Sequence, residues 1–293
     1  MYPVCLLTAS LTKFFEPSGF KKFKPRALKR PYHSGMNAYD HALHHFTNRI
    51  LAASSDRTPL RLRGTGSKDF YGESLQGEVL DTTTLTGITS YEPTELVVTV
   101  RAGTLLAEVE ATLAEKNQCL AFEPPRFGAQ GGGTVGGMVA AGLSGPSRAS
   151  VGALRDYVLG AEIINGRGEH LTFGGQVMKN VAGYDVSRLM VGAMGTLGLI
   201  TQVSLKVLSA APAEATLICT GLPQQVALDL LNRWGGQPLP LNASCWVHDV
   251  TASPAQDYLF IRLRGAVAAV ESACPRMVAD VLAAGGHAVR MDN

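Results

Sequence analysis

The stretch E-P-P-R-F-G-A-Q-G-G-G-T-V-G-G-M-V-A-A-G-L-S-G, residues 123–145, decides how the rest of the chain is read. So much glycine in so few residues serves a geometry that side chains would block. Glycine enters φ > 0 without steric cost and lets backbone lie against a ligand, but each one gives up about 0.5–1 kcal/mol of order relative to alanine. Beyond Thr134 the run V-G-G-M-V-A-A-G-L is expected to wind as a short helix with small residues on one side. Its free N–H groups and positive dipole end would then point at whatever lies beside Gly131 to Thr134, a place that suits a phosphate.

A flexible linker is also glycine-rich, but linkers are polar. Here Met138, Val139, Ala140, Ala141 and Leu143 require burial, and Pro124-Pro125 stiffens the entry. Gly131, Gly133 and Gly136 match G-x-G-x-x-G literally, with Asp156 near the place of a ribose-binding acid. That fingerprint follows a buried central strand, whose ladder donors Glu123-Pro124-Pro125 cannot supply, so a Rossmann site is set aside.

Working outward from the glycine stretch, the upstream chain opens on a helix over residues 37–53, with Asn37 as cap and Leu43, Phe46, Ile50 and Leu51 at helical spacing. His41, His44 and His45 share this helix without an accompanying carboxylate or cysteine, and are read as a solvated face. The alternating strand Pro59 to Arg63 runs into Gly64-Thr65-Gly66-Ser67-Lys68. Such a turn gathers N–H groups into a nest for anions, with the Ser67 hydroxyl and the Lys68 charge beside it; by itself it is also an ordinary tight turn. The spacing of a Walker A loop is absent. Strands are expected at Glu78 to Leu80, Gly87 to Tyr91 and Glu95 to Val100. A helix capped by Thr104, with Leu105, Leu106, Val109 and Leu113 on its apolar face, follows, then a strand near Cys119 to Phe122.

Downstream, Tyr157 to Ile164 and Glu169 to Phe173 form a hairpin around Asn165 to Gly168. A helix over Asp185 to Val191 packs Leu189 and Met190, and a third glycine turn, Gly192 to Gly198, feeds a buried strand as far as Val207. Proline and alanine at 210–215 mark a domain boundary. The remainder reads β-α-β-β-α, with the next strand due just past Asn293.

The 293 residues carry 46% hydrophobic and 17% charged residues, a composition of compact α/β proteins, and no apolar run has the length of a membrane span. Residues 1–35 hold seven of the 26 basic residues and one acid, which leaves 19 basic against 23 acidic in the body. The body therefore lacks the basic stripe of a nucleic-acid binder. In residues 1–35 an apolar stretch precedes the basic cluster, the reverse of a secretory signal. This segment is expected to be disordered, as an organellar presequence or the product of an upstream start. The five cysteines lie far apart, without iron–sulfur or disulfide spacing, and point to a reducing, cytoplasmic compartment.

Three glycine turns, none decisive alone, point jointly to one extended ligand. The strings R-G-T-G-S, E-P-P-R-F-G, G-G-T-V-G-G-M-V-A-A-G-L-S-G-P, S-V-G-A-L-R-D-Y-V-L-G, V-M-K-N-V-A-G-Y-D-V-S-R-L-M-V-G and G-T-L-G-L-I-T, in that order, resemble the vanillyl-alcohol oxidase and p-cresol methylhydroxylase family. Within it they are most similar to the FAD-binding subunits of bacterial glycolate oxidases. The resemblance implies an α+β fold: a p-cresol methylhydroxylase-type FAD-binding domain of two α+β subdomains at 36–209, then a partial cap domain at 210–293 that the family's chains continue.

By the same resemblance Gly64, Thr65, Gly66, Ser67 and Lys68, with Arg63 before them, take the pyrophosphate, and Thr134, Gly136 and Gly137 extend that cradle together with Pro125. Gly145, Gly152 and Asp156 lie along adenosine and ribitol, and Gly195, Gly198 and Ile200 bring backbone to the flavin. Ser67 stands where covalent members have histidine, so FAD is expected to be non-covalent. The implied activity is oxidation of glycolate to glyoxylate with hydride transfer to flavin N5, alongside a larger FAD-binding subunit and an iron–sulfur subunit, in the cytoplasm or peripherally at the membrane through those partners. A self-sufficient oxidase of another 2-hydroxy acid and a non-catalytic flavin scaffold are the alternatives. No catalytic base is evident; Arg126 and Arg148 are candidates for a carboxylate clamp.

Overall fold

A computed structural model describes residues 37–128, 132–175 and 184–292. The expectations for residues 1–35 and Gly131 lie outside them. The chain forms two compact units: one holds the described residues up to 120, with 124–143 and 154–208, and the other holds 121–123, 144–153 and the chain from 209 onward.

The first unit begins with α1 (Ala38–Asp56), where Asn37 Oδ1 accepts the Asp40 N–H at 3.0 Å. Tyr39, Phe46 and Ile50 of α1 pack with Leu80, Leu85, Ile164 and Leu199. Leu51, expected on that face, is 45% exposed. It lies about 100° around the helix from Ile50 and instead abuts Gly168. Strands β1 (Leu60–Arg63) and β2 (Glu78–Asp81) pair in parallel. Then come β3 (Ile88–Glu92), β4 (Val97–Arg101), α2 (Leu106–Ala114), β5 (Gln118–Cys119) and α3 (Val135–Ala141). After α4 (Arg148–Val151), which belongs to the other unit, follow β6 (Val158–Ile164), β7 (His170–Gly174), α5 (Val186–Leu189), β8 (Leu199–Lys206) and β9 (Leu208–Ser209).

Strands β3, β4, β8, β6 and β7, in that spatial order, make one antiparallel sheet. The run Val97-Val98-Thr99-Val100 is buried throughout, as a central strand covered on both faces requires. Its one hydroxyl is satisfied across the ladder, Thr99 Oγ1 and Ser204 Oγ lying 2.9 Å apart.

Several local expectations give way to tertiary packing. Thr104 does not cap α2: its fully buried Oγ1 accepts the Gly87 N–H at 2.8 Å, and the cap position falls to Leu105, which has no side-chain cap bond and is half-exposed. In α5 Met190 is buried at the helix end but Leu189 is exposed. The strand at 119–122 stops at Cys119, because residues 121–123 pass into the second unit.

That unit runs β10 (Ala213–Thr220), α6 (Gln224–Gly235), β11 (Leu241–Asp249), β12 (Gln256–Gly265), α7 (Val267–Ala283) and β13 (His287–Asp292). The strand placed beyond Asn293 from the sequence therefore lies within the chain as β13. Spatial order β11-β12-β10-β13, antiparallel throughout, is that of a split β-α-β pair. Ala215, Leu217 and Cys219 alternate inward beside Leu259, Ile261 and Leu263, and meet Trp234 of α6 and Met277 and Val281 of α7.

Trp234 is fully buried and donates Nε1–H to Asp280 Oδ2 at 2.8 Å. Trp234→Ala is expected to destabilise the protein by about 3–5 kcal/mol, the usual range for emptying a large aromatic site. Urea denaturation followed by far-UV circular dichroism reads this as an earlier midpoint for the second unit; an unmoved midpoint would show that the unit's core does not rest on Trp234.

Candidate cofactor site

The first glycine turn grows out of β1. Arg63 ends that strand with its carbonyl fixed by two donors from one residue, Thr82 N–H at 2.9 Å and Thr82 Oγ1–H at 3.2 Å. The chain then reverses through Gly66 at φ +74°, and the Asp69 N–H returns to the Gly66 carbonyl at 3.0 Å. Glycine is favoured here by the left-handed dihedral, and a β-carbon would in addition displace the Arg63 guanidinium. Arg63 Nε and Arg61 Nη2 both donate to Asp69 Oδ2, at 2.8 and 2.9 Å. Sequence reasoning missed Arg61 and Asp69. The signal was present: residues 61 and 63 project from one side of a strand, with an acid just beyond the turn.

The second glycine stretch meets the first through Thr134. A β-carbon on Gly64 would stand 2.5 Å from Thr134 Oγ1, so that glycine permits the close approach. Thr134 Oγ1 also accepts the Gly137 N–H at 3.2 Å and so caps α3, the short helix expected beyond Thr134. The free N–H groups expected at the start of α3 are, however, engaged by the protein. Val135 N–H donates to Thr104 O at 2.9 Å and Gly136 N–H to Ala102 O at 2.7 Å. This seven-residue helix thus offers no anion site at its first turn. Gly136 is explained the same way: a β-carbon there would lie 2.7 Å from Ala102 Cβ and 3.0 Å from Ala102 O.

Open space lies one step earlier. Among the described residues nothing stands within 4 Å of a β-carbon on Gly132, and one on Gly133 would meet Leu106 Cδ1 at 3.3 Å, with Ser67 Oγ at 3.7 Å and Lys68 Nζ at 4.0 Å beyond it. Lys68 Nζ also lies 5.9 Å from the centre of the Phe127 ring, which Phe70 meets edge-on at 5.0 Å. Desolvation by these neighbours holds the Lys68 pKa below its ordinary value. An uncrowded recess lined by backbone, a hydroxyl and an ammonium fits the diphosphate of a dinucleotide.

The third glycine turn closes on the other two. Gly192 N–H donates to Val139 O and Met194 N–H to Ala140 O, both at 3.0 Å, and a β-carbon on Gly195 would touch Leu62 of β1 at 3.0 Å. Gly198, at φ +144°, packs against the Ile164 carbonyl, and Ile200 is buried opposite Ile163. Pro125 is half-buried in this unit, Thr65 is exposed, and so is Asp156, which lies in a 3-10 turn at Leu154–Asp156. Burial first, and Asp156 second, raise the pKa of the neighbouring Tyr157 phenol.

Gly145 and Gly152 fall in the second unit. Gly145 is at φ +75° where a β-carbon would overlap the Glu123 carbonyl, and Gly152 caps α4 at φ +93°. Neither candidate for a carboxylate clamp stands ready: Arg126 pairs with Glu110, and Arg148 is exposed on α4. His41, His44 and His45 are exposed on α1.

Comparison with known proteins agrees with this geometry. The family model for the FAD binding domain matches residues 46–174. Over that segment the chain is similar to the FAD binding domain family, and FAD is its cofactor. The chain is 45% identical over 224 residues to the glycolate oxidase subunit GlcE of Escherichia coli (strain K12), covering 76% of this chain and 61% of that protein. It is 31% identical over 174 residues to the glycolate oxidase subunit GlcD of Bacillus subtilis (strain 168), covering 58% and 36%. A solved structure of alkyldihydroxyacetonephosphate synthase shares the fold, with a TM-score of 0.64 at 14% identity over 83% of this chain and 50% of that one. The chain thus spans less than two thirds of the length of these relatives.

Two outcomes follow from the site. Gly136→Ala is expected to lower the stability of the FAD-free protein by about 1–3 kcal/mol through overpacking against Ala102. Thermal unfolding without FAD would show it; an unchanged midpoint would return Gly136 to the ligand's side of the turn. The second outcome concerns Lys68. Because its folded pKa lies below the unfolded one, the unfolded chain binds more protons between the two, and stability of the FAD-free protein rises with pH across that window. An adjacent diphosphate favours the charged ammonium, so FAD binding takes up a proton and weakens as pH climbs through the same window. Titrations of flavin fluorescence at several alkaline pH values should show that decline in the wild type and lose it in Lys68→Met.

Proposed function

We propose that the chain is the FAD-binding subunit of a complex that oxidises glycolate to glyoxylate. The observation that carries this reading is the meeting of the first two glycine turns beside Ser67 and Lys68, inside the segment that matches the FAD binding domain, with the third turn, beyond that segment, packed against them. Similarity to GlcE over 76% of the chain supplies the substrate class. Bound FAD supplies the acceptor for the hydride of a 2-hydroxy acid. This chain's own part is to hold the cofactor: Gly64 to Lys68 and Gly132 to Thr134 cradle the diphosphate, and the turn at 192–198 lies beside that cradle.

The partners in this reading are a larger FAD-binding subunit, as the likeness to GlcD suggests, and an iron–sulfur subunit that carries electrons away. Cys219 and Cys274 sit in the core of the second unit, and burial pushes the Cys219 thiol up to about 11, a poor start for a cluster ligand. The place of work is the cytoplasm, with contact to the membrane through partners; among the described residues no helix is long and apolar enough to cross one.

Ser67 has no imidazole with which to form a flavin bond, so the FAD is expected to be dissociable. Acid precipitation of the flavin-loaded protein should release the yellow colour into the supernatant, and colour kept in the pellet would contradict the role given to Ser67. For the reaction itself, the chain is co-expressed with its neighbouring subunits and glycolate is added without oxygen. Bleaching that requires this chain supports the proposal; equal bleaching when it is omitted would sink it.

A further inference from the structure

We propose that Asp69 is a positioning residue for the cofactor's diphosphate, acting by clamping Arg63 and Arg61 beneath the first glycine turn; this rests on the FAD reading above. A single oxygen, Asp69 Oδ2, accepts from Arg63 Nε at 2.8 Å and from Arg61 Nη2 at 2.9 Å. The two arginines leave β1 on the same side, and Asp69 returns to them because its N–H is bonded to the Gly66 carbonyl at 3.0 Å. The acid, the turn and the guanidinium are therefore one closed unit.

The consequence for the turn is geometric. The Arg63 guanidinium lies against the Gly66 backbone, occupying the space of the missing side chain. A free arginine there would sample many rotamers; held through Nε, it presents its remaining N–H groups in one plane beside the nest. Charge agrees with geometry. Arg61, Arg63 and Lys68 outnumber the acids that face them, Asp69 and Asp81, so the turn stays cationic, the sign a diphosphate diester requires. Asp69 fixes where that charge stands. The side chains of the trio are between 24% and 39% exposed, so the ion pairs contribute little to stability by themselves and their value lies in orientation.

The sign of the effect separates this from plain electrostatics. Removing a negative charge beside an anion site strengthens anion binding if charge is all that matters, whereas loss of a clamp weakens it. In Asp69→Asn the amide oxygen lacks the negative charge that holds both guanidinium groups and its NH2 faces them as a competing donor, so FAD affinity is expected to fall about tenfold or more, in line with weakened hydrogen bonds to charged groups. Riboflavin, which has no phosphate, should bind the variant as it binds the wild type, and Asp69→Glu should recover part of the loss.

The measurement is fluorescence titration of the purified chain with FAD and with riboflavin, with the melting point of the FAD-free protein as a check on folding. Unchanged or tighter FAD binding by Asp69→Asn overturns the proposal, as does an equal loss for both flavins. If that variant does not fold, Arg63→Lys keeps the charge and removes the Nε fork; undiminished FAD affinity there overturns the proposal too. Failure of the wild type to bind FAD would instead strike the reading of the site as a whole.

Discussion

Thr134 is the residue on which the glycine architecture turns. Its side chain lies against Gly64 so closely that any other residue at 64 would collide with it, and its Oγ1 caps α3 through the Gly137 N–H. One buried hydroxyl thereby joins the end of β1 to the start of α3. The third turn then attaches to α3 through Gly192 and Met194. Displacing Thr134 would loosen the first turn from the second, while the third stays attached to α3 by its own backbone bonds.

Much of the glycine in the chain serves that packing, and less of it faces a ligand than composition suggests. Gly136 admits Ala102, Gly142 admits Gly192, Gly145 admits Glu123 and Gly198 admits the Ile164 carbonyl. Gly132 and Gly133 are different: among the described residues nothing crowds Gly132, and Gly133 meets only side-chain ends, those of Leu106, Ser67 and Lys68. A physical division therefore exists between glycines needed by the apoprotein and glycines that leave room. It falls inside the single run G-G-T-V-G-G, between Gly133 and Gly136.

What the sequence showed of the fold follows the reach of its forces. The strands at β4 and β8, the hairpin of β6 and β7, the Asn37 cap and the helix beyond Thr134 were legible because strand patterning, turn residues and capping side chains act within a few residues. Thr104 misled because its hydroxyl prefers the Gly87 N–H, seventeen residues away, to the helix next to it. The helix α3 was found, but its donors were misjudged, since their acceptors at Ala102 and Thr104 come from β4's end. The cradle was legible as residues and not as contacts. Asp69 was marked only by its place just beyond the turn, and its meaning appears when β1 and the turn set both arginines on one carboxylate oxygen.

The same logic explains why no simple linker divides the chain. Residues 121–123 and 144–153 belong to the second unit, while 124–143 between them belongs to the first. Within the second unit the two ends of that excursion are tied: the Glu123 N–H donates to Ser144 O at 3.0 Å, and Gly145 lies under the Glu123 carbonyl. Glu123 is itself held by Arg262 of β12, Nη2 to Oε2 at 2.6 Å, with Arg264 at 3.6 Å. Within the second unit, then, one backbone bond and a carboxylate shared between two arginines hold the two chain ends of the excursion together. Bringing two chain ends together costs closure entropy that grows only slowly with the length between them, so bonds at those ends can offset it whatever the intervening sequence.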